Sequence, residues 1–516
     1  MHARRWLLPS LADCFFLSLL AWLFVAGSGW SGLLADGDTG WHIRTGEFIL
    51  DHQQLPARDL FSFSKAGEQW FAWEWLSDVL LAGLYRALGL KGVVLAAALA
   101  ACASLTLVLR HALWRGANSF LALVACLMGA GASSIHYLAR PHVFTLALLA
   151  ASLWLLERDR RRPTPAVWLL IPISALWVNV HGGFLALLVC LGLLAIGTAI
   201  ETLLDRPPQP RSWQRPKRYA ILTGACGLAT LLNPYGVQLH AHIAAYLRSD
   251  WIREAVHEFQ SPRFRSEAAA QFEILLFAGL LVAGRLLARK QFADALLLVV
   301  WAHAALVSVR HIPVFVLIVI PPATEEATLL WKRWAARRPA GSLAAVFDQL
   351  AEDTSAGFRR TSLVLGVALV LLVLPRWPLK WPRDFPAEKF PTGLIERYAS
   401  RLRGARVFTS DQWADYLIYR FYPQQRVFID GRSDFYGPEL GKLYLRLTYA
   451  QASFEEAVGR WDFELVLAPV EWPLVSLLRR DARWGLLEED RLAVLFERPR
   501  DALPLKKNPQ TAEISR

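Results

Sequence analysis

The sequence predicts a polytopic α-helical membrane protein that ends in a soluble α/β domain. Three observations predict it. Apolar runs of about 18–22 residues recur between residues 11 and 375, each long enough to cross a hydrocarbon core. The short loops between them are basic, the pattern that orients a chain in a membrane. From about Arg376 the runs stop, and short strand-like and helix-like segments alternate instead. Composition agrees: the 516 residues are 54% hydrophobic and only 19% charged, with mean hydropathy +0.30, too apolar for an ordinary soluble enzyme. The formal net charge of +12 does not indicate nucleic acid, because the basic residues sit in those short loops.

Taken in order, the first run covers residues 11–35. Arg4 and Arg5 before it place the N-terminus in the cytoplasm. The run is long for a signal-peptide core and lacks a clean small-x-small cleavage site, so it reads as a retained helix. Residues 36–90 then form an outer loop. Trp70–Leu90 carries Glu74, Asp78 and Arg86, which makes it an amphipathic helix at the interface rather than a span. Further spans are expected at 92–110, 119–138, 142–156, 166–180, 183–204, 219–233, 271–287, 291–309, 312–330 and 361–375. That makes about eleven spans. The scheme puts Arg158–Arg162, Arg206–Arg218, Arg289–Lys290 and Lys332–Arg338 inside. The cysteines Cys14, Cys102, Cys126, Cys190 and Cys226 all lie in apolar segments, without metal-ligand spacing.

The densest polar signal is Asp36-Gly37-Asp38-Thr39-Gly40-Trp41-His42, where the chain leaves the first run. Ionisable groups at a membrane boundary are costly to place and are usually functional. The same topology gathers His136, Arg140, His142, Asn179, His181, Asn233, Arg310 and His311 at outer helix ends. Singly, such residues snorkel or cap helices. Jointly, carboxylates suit a general base or a divalent cation, and arginines suit a phosphate. Asn179 and His181 precede Gly182-Gly183, where a ligand could approach the backbone closely.

Pro375, Pro378, Pro382, Pro386 and Pro391 form a stiff linker. Beyond it, 406–409, 426–430, 463–468 and 492–497 read as strands. Asp411–Arg420, Glu439–Tyr449, Ser453–Val458 and Leu474–Arg480 read as helices. Asp430-Gly431-Arg432-Ser433-Asp434 follows a strand end, a common site position in α/β domains. The domain has no P-loop, GxGxxG or Gly-x-Ser-x-Gly motif. The domains are therefore drawn as 1–375 and 376–516.

A first helix, an outer loop opening on an acidic pair, and many spans together resemble the GT-C class of membrane glycosyltransferases. That class includes protein O-mannosyltransferases and bacterial lipid A aminoarabinose transferases. Trp413-Ala414-Asp415-Tyr416, between strands at 406–409 and 426–430, is similar to the Trp-Trp-Asp-Tyr-Gly layout of the oligosaccharyltransferase catalytic subunit. Ala414 and Leu417 depart from it, which argues against glycosylation of sequons and leaves a shared type of C-terminal domain. The resemblance implies transfer of a sugar from a polyprenyl-phosphate-linked donor to a glycan, lipid or protein acceptor, in a bacterial inner membrane with the C-terminal domain periplasmic. It implies Asp36 and Asp38 at the reaction centre, and the outer-face reading adds His42 to the catalytic residues. Arg140, His142, His181, Arg310 and His311 would hold the donor phosphate, and Trp413, Asp415, Tyr416, Asp430 and Arg432 the acceptor. A divalent cation, Mg²⁺ or Mn²⁺, would take Asp36 and Asp38 as ligands. The competing readings are an O-antigen polymerase or ligase, which also acts on lipid-linked glycans, and a non-catalytic transporter or scaffold.

Overall fold

The computed structural model describes residues 8–25, 29–205, 213–339, 341–358, 361–373 and 381–499. Arg4, Arg5, residues 206–212 of the basic loop, and the linker residues Pro375 and Pro378 fall outside the described residues. Two compact units make up the chain. One comprises Met1–Leu33, Trp73–Arg248 and Arg253–Arg383; the other comprises Leu34–Ala72, Ser249–Ile252 and Asp384–Arg516. These units differ from a simple division at 375. The acidic loop, up to Ala72, belongs with the C-terminal sheet rather than with the helices that flank it in sequence.

The first unit is helical. Each expected span holds a helix: Leu11–Val25, Leu90–Arg115, Ser119–Ser133, His142–Arg161, Leu170–Trp177, Phe184–Leu204, Gln214–Ala229, Glu267–Ala288, Phe292–Val307, Ile312–Ala335 and Leu363–Val373. By length and composition, 5 helical stretches suffice to cross a membrane: Leu90–Arg115, Ser119–His136, Phe184–Leu204, Ala268–Ala288 and Val309–Ala335. A bent pair, Leu343–Phe358 with Leu363–Leu372, makes up to 6. The segment expected at the interface is helix Trp75–Leu88, which buries Ser77, Asp78, Leu81 and Ala82 and exposes Leu80 and Leu88. Helix Leu90–Arg115 buries a stripe of small residues, Ala97, Ala98 and Ala101, between Val93 and Leu105. Small side chains let membrane helices approach and gain packing that lipid cannot supply.

Charge closes one end of this bundle. At the C-terminal end of His142–Arg161, Arg160 forks onto Asp294 at 2.6 and 2.9 Å. Arg115 pairs with Glu157 at 3.0 Å and Glu325 at 2.7 Å, and Arg161 reaches Glu157 at 3.0 Å. Arg218 grips Asp159 at 2.8 and 2.9 Å. The sequence pattern presents these arginines as loop charges. The structure pairs them with carboxylates from distant segments, because a guanidinium leaves water at low cost only when its charge is answered.

The second unit contains a four-stranded sheet: β1 Val407–Thr409, β2 Leu465–Pro469, β3 Gly485–Glu489 and β4 Ala493–Glu497, in the order β1-β2-β4-β3. β1 and β2 are parallel, and the other pairings are antiparallel. Helices Asp411–Phe421, Ser433–Thr448 and Phe454–Trp461 lie in the crossover between β1 and β2. Two strand expectations change. Residues 426–430 are extended but outside the sheet, since Val427 bonds to the loop instead, through Phe61 O and Phe63 N at 2.9 Å each. β3 was not expected; its exposed Gly-Leu-Leu-Glu-Glu lacks a buried alternation, and pairing with β4 supplies the order.

Helix packing in the first unit can be tested at two glycines of one helix. A Cβ on Gly197 would overlap the Cα of Ala293 and fall 2.6 Å from its amide nitrogen, whereas Gly192 has open space. Alanine otherwise favours a helix over glycine by about 1 kcal/mol. Gly192→Ala should leave thermal stability in detergent unchanged or raised. Gly197→Ala should lower it, by about 1–3 kcal/mol as overpacking does. Equal melting temperatures for the two variants would refute the contact.

Candidate active site

The second unit builds an acidic site from two distant motifs. Asp36 opens a turn in which its Oδ1 accepts the Asp38 amide at 2.9 Å. Asp38 then begins helix Asp38–His52, where a carboxylate suits the positive helix end. That helix lies against Asp411–Phe421, and glycines permit the approach. A Cβ on Gly40 would fall 2.6 Å from Asp415 O and 2.9 Å from Tyr419 Cβ, and one on Gly37 would overlap Gln412 O. The Gly37 amide donates to Gln412 Oε1 at 2.7 Å, and Arg44 Nε to Tyr419 O at 2.8 Å. Ser410 caps the partner helix through Trp413 N at 3.2 Å.

This packing buries Asp38 and Asp415 on either side of Gly431. A Cβ there would overlap Asp38 Oδ1 and fall 2.9 Å from Asp415 Oδ2. Asp415 Oδ1 accepts the Gly431 amide at 3.1 Å. Its Oδ2 has no hydrogen-bond partner among the described residues. Burial, then Asp38, then Asp430, push the Asp415 pKa well above the usual carboxylate range. Burial also raises Asp411, with Asp36 adding to the effect. His42, one turn after Asp38, is buried with its ring against Trp41.

The remaining residues of the C-terminal motifs turn inward. Arg432 donates to Asp430 Oδ1 at 2.8 Å and Oδ2 at 2.6 Å, and to Asp59 Oδ1 at 2.7 Å. Its guanidinium lies 4.5 Å from the Trp70 ring centre and 4.9 Å from that of Phe435. Tyr436 OH donates to Asp430 at 2.7 Å. Trp413 Nε1 donates to Lys389 O at 2.9 Å, and Tyr416 OH to Asp384 at 2.8 Å. Asp430, Arg432, Trp413 and Tyr416 are therefore buried, with polar groups of each engaged within the unit.

The first unit builds a basic cluster at the N-terminal end of His142–Arg161. Arg140 Nη1 meets Glu258 Oε1 at 3.1 Å. Arg310 stacks on Phe259 at 4.4 Å and reaches Tyr246 OH at 3.5 Å. Burial favours the neutral form of Glu258, but Arg140, His136 and Arg310 outweigh it and hold the carboxyl well below its ordinary range. His142 Nε2 donates to His136 O at 2.8 Å, since a carbonyl only accepts. His181 Nδ1 lies 2.9 Å from both Gly183 N and Thr145 Oγ1. An amide only donates, so Nδ1 accepts, and the neutral ring carries its proton on Nε2, 3.5 Å from Glu74. Burial pushes the His181 pKa well down, which disfavours an ion pair with Glu74. His311 Nδ1 donates to Ala304 O at 3.2 Å and serves the helix junction.

Other expectations at this end are replaced by structural roles. Asn179 accepts from Trp75 Nε1 at 2.9 Å and donates to Ala175 O and Leu232 O at 2.8 and 2.9 Å. Asn233 caps its own turn, accepting the Tyr235 amide at 2.8 Å. The close approach at Gly182 is made by the Trp73 ring, 2.6 Å from where a Cβ would sit, and not by a space for ligand. Glu258, Glu74 and Asp411 were not singled out from sequence. Each is one acid in a polar stretch, and only folding aligns it with a partner. No group of three or more His, Cys, Asp or Glu side chains among the described residues is arranged to hold a metal ion, so Asp36 and Asp38 do not belong to a three-ligand cage.

No protein-family model matches the chain, and no curated protein matches it. Among solved structures it is similar to the archaeal oligosaccharyltransferase AglB from Archaeoglobus fulgidus, in complex with an inhibitory peptide and a dolichol-phosphate. That match has 12% identity and a TM-score of 0.49, and covers 96% of this chain and 75% of that one. It is also similar to ArnT from Cupriavidus metallidurans, bound to undecaprenyl phosphate. Here identity is 13%, the TM-score 0.48, and coverage 96% of this chain and 98% of that one.

The raised Asp415 pKa has a definite sign in stability. A carboxyl raised in the folded state gives full stability below its unfolded pKa of about 3.9, and stability is lost as pH climbs toward the folded value. Asp415→Asn removes that loss and keeps an oxygen for the Gly431 amide. The variant should melt higher than wild type at about pH 8, and the gain should fade toward about pH 4. A gain independent of pH would show that Asp415 is not the titrating group.

Proposed function

We propose that this chain is a GT-C-type membrane glycosyltransferase. It moves a sugar from a polyprenyl-phosphate-linked donor to a hydroxyl of a glycan, lipid or protein acceptor, on the periplasmic side of a bacterial inner membrane. The observation that carries the reading is the meeting of Asp38 and Asp415 over Gly431. Crowded buried carboxyls oppose folding, and perturbed acids of this kind mark sites of proton chemistry.

In this reading Asp36 or Asp38 takes the proton of the acceptor hydroxyl as its oxygen attacks the anomeric carbon. The bond from that carbon to the lipid phosphate breaks, and its electron pair leaves with the phosphate. Arg140 and Arg310 are the guanidiniums suited to that charge, as paired donors to phosphate oxygens. Asp415, held protonated beside Asp38, supports the carboxylate that takes the proton. Each step is carried by the chain's own side chains.

Two measurements test the reading. Asp36→Asn keeps an oxygen to accept the Asp38 amide, so its fold should survive. Asp36→Asn or Asp38→Asn should cut sugar release from a polyprenyl-phosphate sugar in vesicles by roughly a hundredfold, as loss of a general base does. Full activity in both variants would sink the assignment. For orientation, the basic ends of the spans support a C-terminal unit outside. A reporter fused at residue 450 should be active only in the periplasm, and a cytoplasmic signal would reverse the topology.

A further inference from the structure

The anion site of the first unit contains its own anion. Arg140 and Arg310 bring two positive charges, and Glu258 removes one. The other carboxylate of the cluster, Glu74, faces His181. An incoming group therefore meets no more than one net positive charge. Glu258 is also held in place. Ser308 Oγ donates to its carbonyl at 2.8 Å, and Val309 N donates to Gln260 O at 3.0 Å. Arg310 is stacked on the next residue, Phe259. The carboxylate is thus a fixed part of the site, built on the same turn that orients one of its arginines.

Fixed charge of this kind discriminates among anions. A sugar joined to a lipid through one phosphate is a phosphodiester with a single negative charge. A diphosphate linkage carries a second, which would lie beside Glu258, whose carboxylate already answers one of the two arginines of the cluster. Like charges brought together at a partly buried site are rejected more strongly than matched ones are drawn in. We infer that Glu258 is a specificity-determining residue, selecting a donor linked through one phosphate over a diphosphate-linked one. This inference rests on the reading of the cluster as the donor's phosphate site.

The test is binding of undecaprenyl phosphate glucose and undecaprenyl diphosphate glucose to the full chain in nanodiscs. The two lipids share a sugar and a tail. Wild type should prefer the single-phosphate lipid by about tenfold or more, and Glu258→Gln should erase most of that preference by strengthening diphosphate binding. Glu258→Asp keeps the charge and should keep the preference, which separates charge from folding. An unchanged ratio in Glu258→Gln would overturn the inference and leave the phosphate site standing. A folded wild type that binds neither lipid would overturn the phosphate site itself, and the inference with it. Inorganic phosphate and diphosphate run in parallel identify the source. A Glu258-dependent ratio seen with these ions but not with the lipids would overturn the assignment to a lipid donor.

Discussion

Helix Asp38–His52 rests on helix Asp411–Phe421 with backbone nearly against backbone, and the acidic site depends on that contact. Any side chain at position 37 or 40 would separate the helices. The spacing in Asp36-Gly-Asp-Thr-Gly then has a physical meaning. Its glycines make the contact, and its acids are delivered to the far side of it. The same contact explains why the compact units divide the chain as they do. Residues 34–72 are tied to the C-terminal unit by Gln412, Tyr419 and Val427 along their length.

The first unit treats its two ends differently. At the C-terminal end of His142–Arg161, Arg115, Arg160 and Arg161 each find a carboxylate, and the charges are mutually satisfied. Such a layer costs desolvation and returns it in geometry, so it clamps helices rather than binding a ligand. At the N-terminal end, two arginines share Glu258, and three imidazoles surround them as further hydrogen-bonding groups. Both ends read alike in sequence as basic residues beside apolar runs. In the fold the two ends differ in how many carboxylates answer their arginines.

That difference marks how far the sequence could be read. Apolar run lengths located a helix at each of the eleven expected spans, but 5 of the helical stretches, or up to 6, are long and apolar enough to cross a membrane. Helices Val237–Arg248 and Leu343–Phe358 lie outside the expected spans. The acidic motif and Trp413-Ala-Asp-Tyr stand out in sequence, and folding brings them together at Gly37, Gly40 and Gly431. What each residue does was less legible. Asp430 and Arg432 look like an exposed loop pair in sequence and are a buried knot in the fold. Asn179 looks like a cavity residue and is a brace for Trp75. The extended segment 426–430 has strand composition, but its backbone groups are claimed by residues 61–63. Pairing across long sequence distances decides these cases, and no local pattern encodes it.

The buried knot bears on why the Asp415 pKa is raised rather than lowered. Arg432 is the nearby arginine, and an ion pair with Asp415 would pull that carboxyl's pKa down instead of up. The structure prevents it in two ways. Asp430 and Asp59 take the guanidinium edge at 2.6–2.8 Å, and the rings of Trp70 and Phe435 cover its faces. Two carboxylates on one guanidinium leave no charge to spare for a third. Asp38 and Asp415 both meet Gly431, and burial together with the Asp38 and Asp430 charges raises the Asp415 pKa. Asp430, Arg432, Trp413 and Tyr416 pack around Asp415 and fix its surroundings.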